Sequence, residues 1–303
     1  MYKSGLEKIL SEKKFAVTAE VGPPKGSDPN KIEYKAEMLK GYADAFNVTD
    51  NQTAVVRLSS FGGSIILLNM GLEPIMQISC RDRNRIALQS DVLGATSLGI
   101  RNILFITGDH QSFGNHPHSK GVFDLDSIQL IKVVKDLRDS GVFESGDKIL
   151  SGNPDVFIGA AANPFADPLE YRVDRLEKKI DAGADFIQTQ SVFNLERFNN
   201  WMDEVRSRGL DKKVKILAGI TPLKSLKMTE RMKFHVPGVD IPDDIYNKMK
   251  DSKDFKKDGF DIAFNLINEV KKINGIHGIH ITALFWEDII PNLVKETGLL
   301  PRP

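Results

Sequence analysis

Residues 102–109, Asn-Ile-Leu-Phe-Ile-Thr-Gly-Asp, contain the pattern that decides the fold. An apolar, β-branched run predicts a buried strand, and the run ends abruptly in polar residues. Similar runs, nearly all followed by a helix-like segment, occur at residues 15–20, 45–50, 74–80, 156–163, 186–190, 214–222 and 279–283. This alternation predicts an α/β fold of one domain, a (β/α)8 TIM barrel, whose chemistry lies at the C-terminal ends of the strands. The polar residues after each run are therefore the candidate site.

The length and composition of the chain favour one soluble, cytoplasmic domain. A barrel takes about 250 residues, so residues 1–303 leave room for a leading helix near 3–13 and an excursion at about 237–259. Lys+Arg and Asp+Glu are both 41, which gives no basic excess for nucleic acid. The single cysteine, Cys80, cannot form an internal disulfide, which favours a reducing compartment. No signal peptide and no membrane span are predicted.

The clearest local signal is the sequence Asp167-Pro168-Leu169-Glu170, which predicts a helix N-terminus with Asp167 as the cap. Apolar residues of this helix are predicted to face the barrel: Leu169, Val173, Leu176 and Ile180. A second face carries Arg172, Arg175 and Lys179. This stripe is either a solvated basic face or a binding site for an anionic ligand.

Two carboxylates and several amides follow the predicted strands. Glu20 comes between a strand and a Pro-Pro turn, where partial desolvation would raise its pKa and suit it to general acid catalysis. Asp109 follows another strand, and pairing of either carboxylate with Lys or Arg is the alternative to a catalytic role. The amides of Asn163, Gln188 and Gln190 suit the edge of a flat nitrogen heterocycle.

Other common site signatures are missing from the sequence. No G-x-G-x-x-G follows a strand and no Walker A loop occurs. His116 and His118 lack further ligands at metal spacing, so no metal site is predicted. Neighbouring arginines would lower the pKa of Cys80, but a structural role is preferred for this residue.

Several of these segments resemble the methylenetetrahydrofolate reductase family in order and spacing along nearly the whole chain. They are Thr-Ala-Glu-Val-Gly-Pro-Pro at 18–24, Asn-Val-Thr-Asp at 47–50, Ile-Thr-Gly-Asp at 106–109, Asp-Ala-Gly-Ala at 181–184 leading to Thr189-Gln190, and Ala-Gly-Ile-Thr-Pro at 218–222. The resemblance implies a flavin-binding catalytic barrel of one-carbon metabolism. Such an enzyme reduces 5,10-methylenetetrahydrofolate to 5-methyltetrahydrofolate, as in methionine biosynthesis.

The resemblance also implies residue roles. Glu20 would be the general acid, Asp109 the carboxylate beside the flavin, and Gln190 the glutamine that orients the folate. The implied flavin contacts are Thr49, Gln77, Thr107, Gly108, Asp109, Phe123, Asn163, Asp167, Arg172, Arg175 and Lys179, and the implied folate contacts are Glu20, Gln190, Leu226 and Trp286. The cationic stripe would then bind flavin phosphate. FAD is the implied cofactor, with FMN as the alternative.

Departures from the family pattern concern the electron donor. Leu226 replaces an aromatic residue, Trp286 stands near an arginine position, and Asn163 and Asp167 replace an aromatic residue and a histidine. NAD(P)H and an electron-transfer partner such as ferredoxin both stay open as donors. The run at residues 80–85 resembles the branch of anaerobic acetogens, which use the Wood–Ljungdahl pathway and pair the reductase with a small zinc- and iron–sulfur-associated subunit.

Three hypotheses follow from the sequence. The first is a flavin-dependent methylenetetrahydrofolate reductase, expected to form a homo-oligomer and to lack the regulatory domain of eukaryotic members. The second is a folate-binding flavoprotein subunit of an electron-transfer complex. The third is a flavin-free pterin-dependent methyltransferase barrel, which shares the fold and the folate.

Overall fold

The strands form one closed, parallel barrel in sequence order, as the computed structural model of residues 2–303 shows. They are β1 (Ala16–Glu20), β2 (Ala45–Val48), β3 (Pro74–Ser79), β4 (Asn102–Ile106), β5 (Phe157–Ala162), β6 (Phe186–Ser191), β7 (Lys215–Ile220) and β8 (Ile276–Ile281). Parallel pairing continues around the ring from β1 to β8, and β8 pairs again with β1. The predicted TIM barrel is thereby confirmed.

Helices pack around the outside of the barrel and, in the case of the first helix, across its N-terminal end. They are α1 (Gly5–Ser11), α2 (Asn30–Leu39), α3 (Ser60–Asn69), α4 (Arg85–Ser97), α5 (Ser127–Asp139), α6 (Arg172–Ala182), α7 (Leu195–Ser207), α8 (Leu226–His235), α9 (Asp243–Lys250), α10 (Phe255–Val270) and α11 (Ile290–Glu296). Helix α5 begins in a capping box in which Asp126 and Gln129 bond each other's backbone N–H groups. None of the helices in residues 2–303 is long and apolar enough to cross a membrane.

Helix α1 closes the N-terminal end of the barrel, which we call the bottom. Leu6 and Leu10 are buried against residues at the starts of the strands. Inside this layer the rings of Phe157 and Phe186 stack with centroids 5.0 Å apart. The carboxylate of Glu73 accepts hydrogen bonds from Gly5 N at 2.8 Å and Leu6 N at 2.9 Å. These bonds satisfy free N–H groups at the helix N-terminus and hold α1 in place.

Helix α6 begins later than the sequence pattern predicts. Pro168 has an extended ψ of 137°, so a 3-10 turn over Leu169–Tyr171 precedes the helix, which starts at Arg172. The predicted cap by Asp167 is wrong, and the backbone oxygen of Asp167 instead accepts a hydrogen bond from Arg172 Nη2 at 2.8 Å. Leu169 is 40% exposed, so only the later apolar residues of the predicted face are buried.

The predicted boundaries near the C-terminus also move. The predicted excursion at 237–259 contains α9 and ends earlier than expected, because α10 begins at Phe255, where the side chain of Asp254 accepts a hydrogen bond from Lys257 N. Strand β8 covers residues 276–281 instead of 279–283. The cap residue Asp254 was the sequence signal for the earlier helix start.

Candidate active site

The inside of the barrel changes from apolar at the bottom to polar toward the C-terminal ends of the strands, which we call the mouth. Above the apolar bottom layer lies a buried network of hydrogen bonds. Gln188 Nε2 donates to Thr18 Oγ1 at 3.1 Å and to Asn47 Oδ1 at 3.0 Å. Asn47 Nδ2 donates to Gln188 Oε1 at 2.6 Å. Gln188 is therefore a buried structural residue, and its predicted place among the amides of the mouth is wrong.

The same network includes a histidine that sequence reasoning missed. His280 lies with its Nδ1 3.0 Å from Thr18 Oγ1 and its Nε2 3.2 Å from Thr282 Oγ1. Burial lowers the pKa of His280 to about 4, so the ring is neutral at pH 7. The alternation Ile279-His280-Ile281 within a predicted strand was the available signal, because alternate residues of a barrel strand face inward.

Glu20 lies at the end of β1, half-buried in the mouth. Burial raises the pKa of its carboxyl to about 7, with a further increase from Glu287 and opposing decreases from Lys35 and Arg57. Lys35 is paired with Glu287 at 2.5 Å. No group within residues 2–303 donates a hydrogen bond to the carboxylate of Glu20. A carboxyl in this environment can hold or release a proton near neutral pH, as general acid catalysis requires.

Asp109 lies on an exposed loop after β4, and its carboxylate is held by the backbone. Its Oδ2 accepts a hydrogen bond from Thr53 N at 3.1 Å. Its carbonyl oxygen accepts one from Arg81 Nη1 at 3.1 Å. The guanidinium of Arg81 is buried and also bonds Asp82 and the carbonyl of Asn51. This cluster fixes the loops after β2, β3 and β4 relative to one another.

A cavity of about 210 Å³ opens at the ends of β5 and β6 beside α6. Its lining includes the predicted site residues Asn163, Arg172, Arg175, Lys179 and Gln190. Lys179 Nζ donates to the carbonyl of Ala161 at 2.5 Å, and burial together with Arg175 lowers the pKa of Lys179 to about 8. Because these cations converge on a cavity, they favour binding of an anionic group over a fully solvated basic face.

Two further predicted positions, Thr49 and Gly108, differ in what they show. Thr49 is buried, and its Oγ1 has no hydrogen-bond partner in the described part of the chain. An orphaned buried hydroxyl calls for a partner, which fits a flat cofactor in the mouth. Gly108 has a φ of +92°, and a Cβ there would lie 3.1 Å from the Cβ atoms of Ser79 and Arg81. The backbone conformation and the close packing against these two residues therefore account for the glycine.

The hydroxyl of Thr107 is engaged by the protein. Its Oγ1 donates to Ser127 Oγ at 3.2 Å and accepts from Ser127 N at 3.4 Å. Thr107 therefore holds the start of α5 against the end of β4. Its predicted contact with the flavin would have to use other atoms of the residue.

The remaining predicted residues are more scattered. Gln77 is half-buried on β3, Phe123 and Asp167 are exposed, and Leu226 is half-buried as the first residue of α8. Trp286 is only 7% exposed and packs in the apolar core, whereas the preceding Phe285 is 78% exposed. Leu226 and Trp286 do not line the cavity beside α6.

Cys80 lies just after β3 and is fully buried. Burial, with a contribution from Asp126, raises the pKa of its thiol to about 12 despite the nearby Arg83. Desolvation thus outweighs the arginine, and the thiol stays protonated at neutral pH. Residues 2–303 contain no group of three or more His, Cys, Asp or Glu side chains placed to hold a metal ion.

Comparison with known proteins decides the family. The family model described as methylenetetrahydrofolate reductase matches residues 5–298. The chain belongs to the methylenetetrahydrofolate reductase family. It is 29% identical over 243 residues to methylenetetrahydrofolate reductase 2 of Saccharomyces cerevisiae, covering 77% of this chain and 38% of that protein. It is 25% identical over 235 residues to 5,10-methylenetetrahydrofolate reductase of Escherichia coli K12, covering 76% of this chain and 72% of that one.

The chain also matches part of longer relatives and the whole of one solved structure. The chain spans about two fifths of the length of the yeast and Caenorhabditis elegans members that it matches. Among solved structures, the fold resembles that of an uncharacterized protein from Clostridium thermocellum that binds two copies of 5-methyl-5,6,7,8-tetrahydrofolic acid. That match has a TM-score of 0.68 and 17% identity, and it covers 97% of this chain and all of the other.

Proposed function

We propose that this reductase-family barrel catalyses the flavin-dependent reduction of 5,10-methylenetetrahydrofolate to 5-methyltetrahydrofolate. The observation that carries the proposal is Glu20, a half-buried carboxyl at the barrel mouth whose pKa is raised to about 7. Residues 1–303 would form the flavin-binding catalytic barrel. The reaction belongs to one-carbon metabolism, and we place it in the cytoplasm.

The residues present fit a flavin. Arg172, Arg175 and Lys179 would hold its phosphate in the cavity beside α6. Thr49 Oγ1 has a free hydrogen-bonding capacity in the mouth, which a polar atom of the flavin would satisfy. We propose FAD as the cofactor, with FMN as the alternative. When bound, the flavin would supply the hydride.

Glu20 would donate the proton that opens the five-membered ring of the folate. At pH 7 a carboxyl with a pKa of about 7 is about half protonated. The protonated form would donate to an amine nitrogen of the five-membered ring of the folate, so that the ring C–N bond breaks and an iminium cation forms. Lys35 and Arg57 prevent the pKa of Glu20 from rising further, which keeps both protonation states accessible.

Asp109 and Gln190 would assist by charge and by orientation. Asp109 is fixed by Thr53 N and Arg81, so its negative charge is preorganised to stabilise the cation. Gln190 lines the cavity, and its amide offers a donor and an acceptor to the edge of the pterin. The folate would thus lie between the end of β1 and the end of β6.

A product assay tests this function. The purified protein is loaded with FAD or FMN, reduced with dithionite under anaerobic conditions, and mixed with 5,10-methylenetetrahydrofolate. We expect 5-methyltetrahydrofolate by chromatography in an amount equal to the reduced flavin. The absence of product from the flavin-loaded protein would overturn the proposal. Transfer of a methyl group from 5-methyltetrahydrofolate by flavin-free protein would support the methyltransferase alternative.

The electron donor is decided by a separate experiment. NADH or NADPH is added anaerobically to the flavin-loaded protein. Rapid bleaching would identify a nicotinamide donor. Stable flavin absorbance, with turnover restored by reduced ferredoxin or by a co-purifying partner, would identify an electron-transfer complex such as that of the acetogen branch. Size-exclusion chromatography of the same sample would test the expected homo-oligomer.

A further inference from the structure

Strand β6 carries an irregularity next to the cavity. On the side of β7, Gln188 pairs with Leu217 and the next pair is Ser191 with Gly219. Strand β6 therefore has one more residue than β7 over this interval, which is a β-bulge. On the side of β5 the register continues regularly through Thr189. The bulge lies at Thr189 and Gln190, where the chain enters the mouth.

A bulge at this point changes where the following side chains lie. Gln188 is buried in the interior network, whereas Gln190 is exposed and lines the cavity beside α6. After the bulge, Ser191 Oγ lies 2.5 Å from Thr221 Oγ1 beyond the end of β7. Bulges bend strands and redirect side chains near active sites. The irregularity thus sets the direction in which the Gln190 amide points.

The hydroxyl of Thr189 holds the bulge. Thr189 is 6% exposed, and its Oγ1 accepts a hydrogen bond from Gly219 N at 2.9 Å. The same hydroxyl donates to the carbonyl oxygen of Gln190 at 2.8 Å. It therefore takes the place that a strand carbonyl would occupy in a regular ladder. It also fixes the peptide group directly after Gln190.

Gly219 provides the space for this arrangement. A Cβ at Gly219 would lie 2.4 Å from Thr189 O and 2.8 Å from Gln190 O. The carbonyl oxygen of Gly219 accepts a hydrogen bond from Val192 N at 2.9 Å, so its two backbone groups are bonded to Thr189 in the bulge and to Val192 just after β6. No side chain can be accommodated there without displacing the backbone of Gln190.

We propose that Thr189, seated on Gly219, is a positioning residue that aims Gln190 at the folate. This inference rests on the proposed function, because Gln190 matters only if a folate binds in the mouth. Thr189 does not touch the substrate. Its hydroxyl fixes the backbone of Gln190, the residue that would contact the substrate.

The test uses the flavin-loaded protein and 5-methyltetrahydrofolate. Thr189→Val keeps the size of the side chain and removes the hydroxyl. We expect the Kd of 5-methyltetrahydrofolate, from the concentration dependence of anaerobic bleaching, to rise about tenfold, the size expected if the displaced Gln190 loses one hydrogen bond to the folate. The flavin Kd should be unchanged, and Thr189→Ser, which restores the hydroxyl, should restore the folate Kd. Thr189→Ala serves as a second variant with the same expectation.

A matched control separates positioning from general destabilisation. Thr96 is also 6% exposed, and its hydroxyl donates to Val92 O within α4, remote from the mouth. Thr96→Val should lower the denaturation midpoint without changing the folate Kd. A folate Kd in Thr189→Val equal to that of the wild type would overturn the inference. An equal Kd increase in Thr96→Val would overturn it as well.

A double variant tests whether Thr189 acts through Gln190. If it does, adding Thr189→Val to Gln190→Ala should cause no further increase in the folate Kd. A further tenfold increase would overturn the inference. Failure of the wild-type protein to bleach with the folate would instead reject the proposed function, so the two failures are distinguishable.

Discussion

Glu73 and Glu20 lie at opposite ends of the same barrel, and their carboxylates have different surroundings. Glu73, at the bottom, accepts hydrogen bonds from Gly5 N, Leu6 N and Asn102 Nδ2. Glu20, at the mouth, has charged neighbours, but none of residues 2–303 donates a hydrogen bond to it. The first carboxylate holds a helix in place, and the second is left free to exchange a proton. The bottom thus serves stability, and we propose that the mouth serves chemistry, as is usual in this fold.

The largest expected effect comes from the mouth. Glu20→Gln keeps the size of the side chain but removes the proton that it would donate, so re-oxidation of the dithionite-reduced flavin by 5,10-methylenetetrahydrofolate should slow by about 10²- to 10⁴-fold. Reduction of the flavin by dithionite should be unchanged. Glu73→Gln is the matched control, and its reduced flavin should be re-oxidised at the wild-type rate. A Glu20→Gln rate within about threefold of the wild type, well below the usual contribution of a general acid, would refute the acid assignment.

For the free energy of unfolding we expect the opposite order, with a larger effect of Glu73→Gln than of Glu20→Gln. In the wild type, each carboxylate oxygen of Glu73 accepts a hydrogen bond from a backbone N–H of α1. Glu73→Gln replaces one of these oxygens by an NH2 group, which faces an N–H of α1 and cannot accept its hydrogen bond. We expect the free energy of unfolding to fall by about 2 kcal/mol, measured by urea denaturation. Glu20→Gln should not destabilise the protein at pH 8. If Glu73→Gln were as stable as the wild type, the role of Glu73 in holding the bottom helix would be wrong.

We expect Lys179 to contribute to flavin binding in the mouth. Lys179→Met should weaken flavin binding about tenfold or more, measured by equilibrium dialysis, because it removes a cation from the cavity. Lys178→Met, on the exposed side of the same helix, should have no effect. Since the pKa of Lys179 is lowered to about 8, the flavin affinity of the wild type should fall as the pH rises above 8. An equally steep fall in Lys179→Met would contradict this account.

The smallest effect is the pH dependence of stability. The pKa of Glu20 is raised from its ordinary 4.5 to about 7, so the folded protein binds more protons than the unfolded chain between these values. The stabilisation is complete below pH 4.5 and is lost as the pH rises through 7. The denaturation midpoint of the wild type should therefore fall relative to Glu20→Gln across this window, by about 5 °C. A constant difference between the two midpoints would contradict the raised pKa.

The sequence predicted the barrel and the position of Glu20 because both depend on local pattern. Apolar runs that end in polar residues report the strands directly. Gln188 was placed wrongly because its partners, Asn47 and Thr18, lie more than a hundred residues away. The bulge at Gln190 depends on pairing with Gly219, which no local pattern reports. The start of α6 was missed because backbone geometry at Pro168 overrides a favourable capping sequence.

The most direct test of the account is the anaerobic addition of 5-methyltetrahydrofolate to the flavin-loaded wild-type protein. The proposed function predicts that the visible flavin absorbance is bleached while 5,10-methylenetetrahydrofolate forms in equal amount. Flavin that stays oxidised with this folate, although dithionite bleaches it, would contradict the claim that the barrel mouth brings flavin and folate together for hydride transfer.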